Sequence, residues 1–371
     1  MTHWDVAIVG GGPAGLSAAY ESARRGAGTL VIEKAEHPRY KTCGGGLIGF
    51  TTSAVADRIT IPADDRVERA RFTLDGRAAF TRSTHRGPLI TMVRRAEFDD
   101  ALRLAAEKAG ATVRQSVAAR SLEQTPDGVR IRLADGSEVT ARTVIGADGS
   151  SGITARHVGV EYGQVDLGLE VEVPISAARQ RYWRGRLLLD WGPLPGSYAW
   201  VFPKGDLLTV GVIAARGNGE RTKAYLRSFI DRVGLTGIEP VHDSGHLTRC
   251  RTESSPLRNG NVIVAGDAAG LLEPWTREGI SFAVRSGALA GAAAADGDLP
   301  RYEREVAATL TPSMRAGTTL LAAFTRHPAV FHTLLRTPPG WRMFERFCQG
   351  ETSFDTTIER FPVRQTLRRL T

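Results

Sequence analysis

The sequence predicts an α/β protein (α+β overall): a Rossmann-like domain, a second domain with a mixed or antiparallel sheet, and a C-terminal helical region. Three observations support this fold class. An apolar segment near the N-terminus runs into a glycine-rich turn and then a helix-forming segment. Extended segments dominate from Gly163 to Val212, and helical segments broken by proline follow Leu299. The 371 residues are enough for two or three lobes and a large core.

Composition excludes several classes of protein. Hydrophobic residues make up 42% and charged residues 24%, which is typical of a folded globular chain and not of a disordered one. Three cysteines are too few for a disulfide scaffold and indicate a reducing compartment. The formal charge of +8 permits anionic partners, but no nucleic-acid motif accompanies it. We therefore expect a cytoplasmic protein without signal peptide, membrane span, metal site or nucleic-acid partner.

The first elements form a β-α-β unit. Trp4–Val9 is predicted as a buried strand, Ala14–Gly26 as a helix and Thr29–Glu33 as a second strand. Hairpins are expected around Asp75-Gly76 and Asp135-Gly136, where turn residues separate extended segments. The other elements predicted in this half are the strands Arg69–Leu74, Ala78–Ser83, Val129–Leu133, Glu138–Ala141 and Thr143–Ala147 and the amphipathic helix Arg95–Gly110.

The second half is predicted to begin with an antiparallel sheet. Its strands are Glu170–Val173, Leu187–Trp191, Tyr198–Phe202 and Leu207–Ile213. A parallel-type strand, Asn261–Ala265, and the helices Ile280–Ala295, Ser313–Arg326 and Trp341–Cys348 follow. These elements predict a discontinuous nucleotide-binding domain (1–68, 93–160 and 255–298), an antiparallel-sheet domain (69–92 and 161–254) and a helical region (299–371).

A dinucleotide fingerprint lies between the first strand and the first helix. Gly10 permits the tight turn, Gly12 lets the backbone approach a pyrophosphate, and Gly15 lets the helix pack on the sheet. Glu33 ends the second strand, where a carboxylate can accept hydrogen bonds from ribose hydroxyls. The alternatives are an ordinary glycine turn and, for Glu33 with Lys34, a solvated ion pair.

Two later strand ends identify the dinucleotide. Val144–Ser151 and Val262–Gly270 each end a strand in a Gly-x-Asp-Gly or Gly-Asp turn. Only a long, extended dinucleotide such as FAD is held by three strand ends. These segments resemble the FAD-binding motifs of the p-hydroxybenzoate hydroxylase-like flavoproteins. The resemblance implies that Asp267 contacts the ribityl and pyrophosphate region, and that the helix beginning at Ile280 points its positive end at the flavin N1–C2=O edge. Arg95 matches an arginine that the family directs at the cofactor; the alternative is a solvent-exposed helix start.

Further motifs resemble the geranylgeranyl reductase family. They are Lys41-Thr42-Cys43-Gly44-Gly45-Gly46, the segment Tyr198-Ala199-Trp200-Val201-Phe202-Pro203-Lys204-Gly205-Asp206, and Val210-Gly211-Val212. The resemblance covers about residues 4 to 290. It implies an FAD-dependent reductase that saturates carbon–carbon double bonds of a prenyl (geranylgeranyl-type) chain or prenylated product by hydride transfer from the flavin.

The resemblance also implies roles for single residues. It places the Cys43 loop over the flavin ring, where the thiol is a candidate proton donor; an ordinary buried cysteine is the alternative. Tyr198 is a second candidate donor. Because residues two apart on a strand share a face, Tyr198, Trp200 and Phe202 form one aromatic wall, either of a substrate pocket or of an ordinary core. The predicted catalytic residues are thus Cys43, Tyr198 and Trp200.

The segment after the Gly-Asp turn departs from the family pattern in part. Pro274 and Gly279 fit it, whereas Trp275 and Arg277 replace small residues and are expected to reshape the pocket or contact a polar substrate head. Substrate binding is therefore assigned to Tyr198, Trp200, Phe202 and Trp275. The predicted cofactor-binding residues are Gly10, Gly12, Ala14, Gly15, Glu33, Lys34, Cys43, Gly44, Gly45, Arg95, Asp148, Gly266, Asp267, Pro274, Gly279 and Ile280.

Partners and alternatives complete the prediction. Arg39, Lys41 and Lys204 are candidate ligands of a substrate diphosphate, or solvated charges. NAD(P)H or an electron-donor protein is expected to reduce the flavin. The basic tail with Arg360, Arg364, Arg368 and Arg369 suggests peripheral membrane contact or a solvated helix. The alternative function is an FAD-dependent monooxygenase of an aromatic or polyketide-type substrate. A flavin-dependent halogenase is disfavoured, because no lysine lies between Lys41 and Lys108.

Overall fold

The computed structural model describes residues 3–358, which form two large sheets, a small three-stranded sheet and the helices around them. The strands are β1 (His3–Val9), β2 (Thr29–Ile32), β3 (Gly46–Leu47), β4 (Asp65–Val67), β5 (Arg69–Leu74), β6 (Arg77–Ser83), β7 (Ile90–Met92), β8 (Thr112–Arg114), β9 (Ala119–Thr125), β10 (Gly128–Leu133), β11 (Glu138–Gly146), β12 (Tyr162–Pro174), β13 (Arg186–Trp191), β14 (Tyr198–Lys204), β15 (Leu207–Ala215), β16 (His242–Arg251), β17 (Arg258–Asn259) and β18 (Val262–Val264).

The helices cover the sheets and form the C-terminal part of the described chain. They are α1 (Pro13–Arg24), α2 (Gly49–Val55), α3 (Arg95–Lys108), α4 (Thr154–Val158), α5 (Ala177–Trp183), α6 (Gly219–Arg232), α7 (Ile280–Asp296), α8 (Leu299–Thr309), α9 (Thr311–Arg326), α10 (Pro328–Arg336), α11 (Pro338–Cys348) and α12 (Phe354–Ile358). The α/β class predicted from the sequence is confirmed.

The first sheet, sheet A, has a parallel centre. Its order is β17-β18-β11-β1-β2-β8, and the antiparallel strands β10 and β9 continue from β11. β1 runs parallel to β2 and β11, and β11 runs parallel to β18. The centre of β1 is fully buried because helices cover the sheet, with α1 packed against α7 beside it. The carboxyl ends of these parallel strands therefore meet at one edge of sheet A.

The second sheet, sheet C, has the order β16-β12-β15-β14-β13-β5-β6 and is antiparallel except between β13 and β5. One face packs against α6: Ala199 and Val201 are fully buried there with Tyr225 and Phe229. The opposite face carries Tyr198, Trp200 and Phe202, as the two-residue period of a strand requires. The small sheet, sheet B, has the order β3-β7-β4.

One prediction of secondary structure was wrong, and other elements were missed. Glu138–Ala141 and Thr143–Ala147 are one continuous strand, β11. Arg142 interrupts the apolar pattern, but its side chain points outward where buried and exposed residues alternate. Sequence reasoning also missed α6, whose polar residues hide one buried face, and β16, in which Cys250 alone is buried. The predicted domain boundaries stay a prediction.

The C-terminal helices are close to those predicted. α9 and α11 begin two or three residues earlier than expected, because Pro312 and Pro338 occupy first-turn positions that tolerate proline. Between residues 3 and 358, no helix combines the length and the apolar character that a membrane span requires. The basic tail residues Arg360, Arg364, Arg368 and Arg369 lie outside the described residues.

Candidate active site

A cavity of about 800 Å³ runs from the strand ends of sheet A to the aromatic face of sheet C. Most of the predicted site residues line it, although they come from segments far apart in sequence. These are Gly10, Gly12, Glu33, Lys34, Cys43, Gly44, Gly45, Arg95, Asp148, Tyr198, Trp200, Phe202, Asp267, Trp275, Gly279 and Ile280. Ala14, Gly15, Gly266 and Pro274 do not line it and lie behind its wall.

The glycine-rich turn is packed on one side and open on the other. Gly10 has φ +108°, and a Cβ there would lie 2.3 Å from the carbonyl oxygen of Ala147. A Cβ on Gly15 would lie 1.9 Å from the carbonyl oxygen of Gly10, so the helix start requires glycine. A Cβ on Gly12 would meet only Arg39, at 3.8 Å. The backbone at Gly12, where α1 begins, thus faces open cavity.

Glu33 organises the end of β2. It is 4% exposed, and its two carboxylate oxygens accept the N–H groups of Gly11 at 2.6 Å and Ala35 at 2.9 Å. The alternative of a solvated ion pair between Glu33 and Lys34 is wrong, because Glu33 is buried and only Lys34 is exposed to solvent. Arg39 lies 3.7 Å from Glu33 and donates to the carbonyl of Gly11 at 3.2 Å. Arg39 therefore belongs to the dinucleotide end of the cavity.

Ala14 and Gly266 support this end from behind. A Cβ on Gly266 would lie 2.9 Å from the Cβ of Ala14. The amide of Gly266 donates to Ser286 of α7 at 2.9 Å. Pro274 contributes its carbonyl, which accepts from Gln164 at 3.0 Å. These residues shape the wall without facing the cavity.

Two aspartates at strand ends face the cavity in different ways. The carboxylate of Asp148 accepts hydrogen bonds from the amides of Ile153 and Thr154 at the start of α4, and burial raises its pKa. Asp267 lies 3.6 Å from the Nε2 of His246. Burial opposes the charge of Asp267, but His246, Lys41 and Arg95 outweigh it and lower the pKa of this carboxyl.

Arg95 lies beside Cys43. The alternative of a solvent-exposed helix start is wrong: the Arg95 side chain is 10% exposed and binds Asp99 through Nε at 2.8 Å and Nη2 at 2.9 Å. Burial opposes its charge, yet the side chains of Asp99 and Cys43 raise the pKa of Arg95. The sulfur of Cys43 also accepts the amide of Gly45 at 3.4 Å. Cationic and N–H groups thus surround this thiol.

The aromatic wall of sheet C closes the cavity opposite the glycine turn. The rings of Tyr198, Trp200 and Phe202 follow one another at centroid distances of 5.9 and 6.2 Å. A Cβ on Gly44 would lie 3.0 Å from the Phe202 ring, so the Cys43 loop packs directly on this wall. Beyond it the lining is apolar, with Leu189, Trp191, Leu335, Phe344, Phe347 and Phe354.

Trp275 and Arg277 have separate positions. Trp275 packs against Phe324, Phe331 and Phe354 at centroid distances of 5.2 to 5.8 Å and lines the apolar part of the cavity. Arg277 forms a buried ion pair with Asp166 at 3.2 Å and donates to the carbonyl of Trp275 at 2.7 Å. Arg277 also lines the cavity with its charge paired to Asp166, so its contact with a polar substrate head stays a prediction.

Comparison with known proteins identifies the family. Residues 3–189 match the family described as FAD binding domain. Digeranylgeranylglycerophospholipid reductase 3 of Methanosphaera stadtmanae is 31% identical over 318 residues, covering 78% of this chain and 77% of its own length. Menaquinone reductase of Mycobacterium tuberculosis is 32% identical over 324 residues, covering 80% and 78%. The chain belongs to the geranylgeranyl reductase family of FAD-dependent oxidoreductases.

Solved structures share the fold of this family member. A geranylgeranyl bacteriochlorophyll reductase-like protein from Thermoplasma acidophilum superposes with a TM-score of 0.80 at 22% identity, over 100% of both chains. A flavin-dependent brominase superposes with a TM-score of 0.78 at 18% identity, over 99% of this chain and 98% of its own. The fold is therefore shared by enzymes with different chemistry and does not select the reaction.

The cavity of this reductase family member fits FAD. The open backbone at Gly12 and the start of α1 suit a pyrophosphate, and Glu33 lies where ribose hydroxyls are expected. Arg39 adds a cation beside the same turn. The cavity continues past Asp267 and the start of α7, with Gly279 and Ile280, to Cys43 and the aromatic wall. An extended dinucleotide therefore has space from one end to the other.

Sequence reasoning missed two residues of the site, Glu170 and His246, which line the cavity. Lys204, a predicted ligand of a substrate diphosphate, is 2% exposed in an ion pair with Glu172 at 2.8 Å. The prediction that Lys204 binds a substrate diphosphate is therefore not supported. A signal for Glu170 was present: it is a charged residue on a predicted strand, at the parity of the face that carries the aromatic wall.

Proposed function

We propose that this enzyme saturates carbon–carbon double bonds of a prenyl chain or prenylated product. The observation that carries the proposal is the continuity of the cavity. Its dinucleotide end opens, past the Cys43 loop, into a chamber lined by aromatic and aliphatic side chains. Such a lining suits a long hydrocarbon and offers few partners to a polar substrate. The reductase names of two relatives support the same reading.

Reduction of an alkene requires a hydride at one carbon and a proton at its neighbour. FAD, when bound and reduced, supplies the hydride. The Cys43 thiol is the stronger candidate for the proton, because it lies where the dinucleotide end of the cavity meets the apolar chamber, next to Arg95 and the amide of Gly45. Tyr198 is the weaker candidate: its hydroxyl donates to the carbonyl of Thr276, and burial raises its pKa.

The charges around the cavity favour a prenylated product over a free prenyl diphosphate. Of the three cations expected to bind a diphosphate, Lys204 is paired with Glu172 and Arg39 lies beside the glycine turn. Lys41 remains, and burial together with the nearby Arg95 lowers its pKa. A single lysine whose charged form is disfavoured is a poor match for the negative charge of a diphosphate. NAD(P)H or an electron-donor protein is proposed to reduce the flavin.

We further propose that the enzyme is cytoplasmic and contacts a membrane. α10 and α11 form one wall of the apolar chamber through Leu335, Phe344 and Phe347. Their outer side exposes Val330 (37%), Leu334 (47%) and Met343 (38%). Arg336 and Arg342 are exposed on these helices, whereas their one carboxylate, Glu345, is buried. An apolar, cationic surface directly outside the chamber suits the face of an anionic lipid bilayer.

The deciding experiment compares reduction with oxygenation. The purified flavoprotein is reduced anaerobically and mixed with prenylated lipids or prenylated quinones, while flavin absorbance and the substrate mass are followed. We expect flavin reoxidation with a substrate mass gain of about 2 Da per double bond, as addition of a hydride and a proton requires. Turnover that depends on oxygen and adds an oxygen atom contradicts the proposal and supports the monooxygenase alternative.

Cys43→Ser is expected to slow alkene reduction at unchanged flavin content.

A further inference from the structure

Residues 40–45 cross the cavity face of sheet C in chain order. The hydroxyl of Tyr40 lies 3.0 Å from Ser244 on β16, and its ring stacks on His242 at a centroid distance of 3.8 Å. Cys43 then reaches β12. Gly44 and Gly45 reach β14, where added Cβ atoms would lie 3.0 Å from Phe202 and 2.9 Å from the Cε of Lys204. The loop is therefore docked across the sheet at several points.

The backbone of Cys43 is held from both sides by buried charged groups. Its N–H donates to the carboxylate of Glu170 at 2.6 Å, and its carbonyl accepts from the ammonium of Lys204 at 3.1 Å. Lys204 is paired with Glu172 at 2.8 Å. Glu170, Glu172 and Lys204 are 3%, 7% and 2% exposed, so these contacts are little weakened by solvent.

Holding both peptide groups fixes the direction of the Cys43 side chain. A peptide plane is rigid, so anchoring the planes before and after one residue sets its φ and ψ and the direction of its Cα–Cβ bond. Only χ1 remains, and the amide of Gly45 and the guanidinium of Arg95 both act on the sulfur. We propose that Glu170 and Lys204 are positioning residues that hold the Cys43 thiol at the junction of the dinucleotide space and the apolar chamber.

This arrangement joins two motifs that are distant in the sequence. Lys204 ends the aromatic segment and binds the backbone of the Cys43 loop, while Trp200 and Phe202 of that segment pack on the same loop. Glu170 lies in register with Gly211 and Trp200 across three strands. The positions of the residues do not depend on the proposed reaction; only the catalytic consequence of losing them rests on it.

Thiol reactivity tests the proposal independently of catalysis. The second-order rate of Cys43 alkylation by iodoacetamide is measured on the full chain by mass spectrometry, with and without FAD, and Cys43→Ser gives the background from Cys250 and Cys348.

Glu170→Leu removes the acceptor at similar volume, and Glu170→Gln keeps one. We expect Glu170→Leu and Lys204→Met to raise the alkylation rate at least about fivefold, as loss of one hydrogen bond implies, and Glu170→Gln to stay within about twofold. The double variant Lys204→Met/Glu172→Gln leaves no unpaired charge and is expected to behave as Lys204→Met if the single variant folds poorly.

Asp190→Asn is the matched control. Asp190 is a fully buried carboxylate of the same sheet that binds Thr73 and Tyr225 and does not contact residues 40–46. Its replacement is expected to lower thermal stability without changing the alkylation rate. Wild-type alkylation in Glu170→Leu and Lys204→Met/Glu172→Gln, or an equal increase in Asp190→Asn, overturns the proposal. In the reductase assay, the two positioning variants are expected to lower kcat about tenfold with little change in KM, as misplacement of a reacting group does.

Discussion

At the scale of single residues, Glu273 is a buried acid with incomplete hydrogen bonding. It is 2% exposed; one carboxylate oxygen accepts from Thr276, and the other has no partner. A Cβ on Gly317 would lie 1.8 Å from that second oxygen, so α9 covers it closely. Burial raises the pKa of Glu273. Ionisation of this group therefore costs stability in the folded enzyme.

The sign of this effect predicts a pH dependence. An acid whose folded pKa is raised contributes its full stability below the unfolded pKa of about 4.3, and the contribution is lost as pH rises through the folded pKa. Glu273→Gln is expected to reduce the loss of Tm over the pH range above about 4.3, where the wild-type carboxyl would ionise more readily in the unfolded chain than in the folded one. Differential scanning calorimetry across that range measures it. Glu220→Gln, on a side chain that is 85% exposed, serves as control; a slope in Glu273→Gln equal to the wild type contradicts the prediction.

Single residues differed in how far sequence allowed their role to be predicted. The positions of Gly10 and Glu33 in the cavity were predictable, because they follow from local spacing within one β-α-β unit. Their positions on strand ends then place them together without further information. Glu170 and Lys204 act on Cys43 across more than 120 residues of sequence, and only the strand order of sheet C brings them together. The ion pair of Arg277 was not predictable from local sequence, because its partner, Asp166, lies on a distant strand.

At the scale of elements, α1 and α7 pack through glycine. Added Cβ atoms on Gly287 and Gly291 of α7 would lie 2.1 and 2.3 Å from the carbonyl oxygens of Ala14 and Ala18 in α1. The two helices therefore approach backbone to backbone. This contact positions the start of α1 at Gly12, and the start of α7 at Ile280 lines the same cavity. Helix packing thus sets the dinucleotide end.

Gly291→Ala tests this contact at a distance from the cavity. The new methyl group must separate the helices, and overpacking of this kind costs about 1–3 kcal/mol. We expect a lower urea midpoint for the apoprotein and faster loss of FAD on dilution, measured by recovery of flavin fluorescence. Gly219→Ala, where a Cβ meets no atom within 4 Å, is the control and is expected to leave both unchanged. A wild-type midpoint in Gly291→Ala contradicts the role of this glycine.

Elements were predictable where apolar periodicity and turn residues agree. α7 was predicted within one residue of its end, because its apolar run is bounded by Gly279 and Gly297. β11 was predicted as two strands, because the outward-facing Arg142 interrupts its apolar pattern. α6 and β16 were missed because most of their residues are polar; α6 buries one face against sheet C, and β16 is recognised only by its pairing with β12.

At the scale of the whole molecule, the cavity connects two chemical environments. Cations and N–H groups dominate near Gly12 and Arg39, whereas aromatic rings dominate beyond Cys43. The helices that enclose the apolar end, α10 and α11, also carry three of the seven large hydrophobic side chains that are exposed among residues 3–358. The apolar chamber is therefore separated from an apolar outer surface by a single layer of helices.

Membrane contact through this surface predicts selective loss of lipid binding. Leu334→Glu/Met343→Glu introduces two carboxylates where Val330, Leu334 and Met343 are exposed, and removal of two apolar side chains from the bilayer is expected to weaken partitioning at least about tenfold. Co-sedimentation with phosphatidylglycerol vesicles measures it, and comparison with phosphatidylcholine vesicles reports the total contribution of the protein's cationic side chains, Arg336 and Arg342 among them. Leu104→Glu, on a side chain 53% exposed on α3, is the matched control. Because the cationic contribution is screened by salt, wild-type binding is expected to weaken as ionic strength rises. Equal binding by wild type and Leu334→Glu/Met343→Glu, or an equal loss in Leu104→Glu, assigns the contact to another part of the chain.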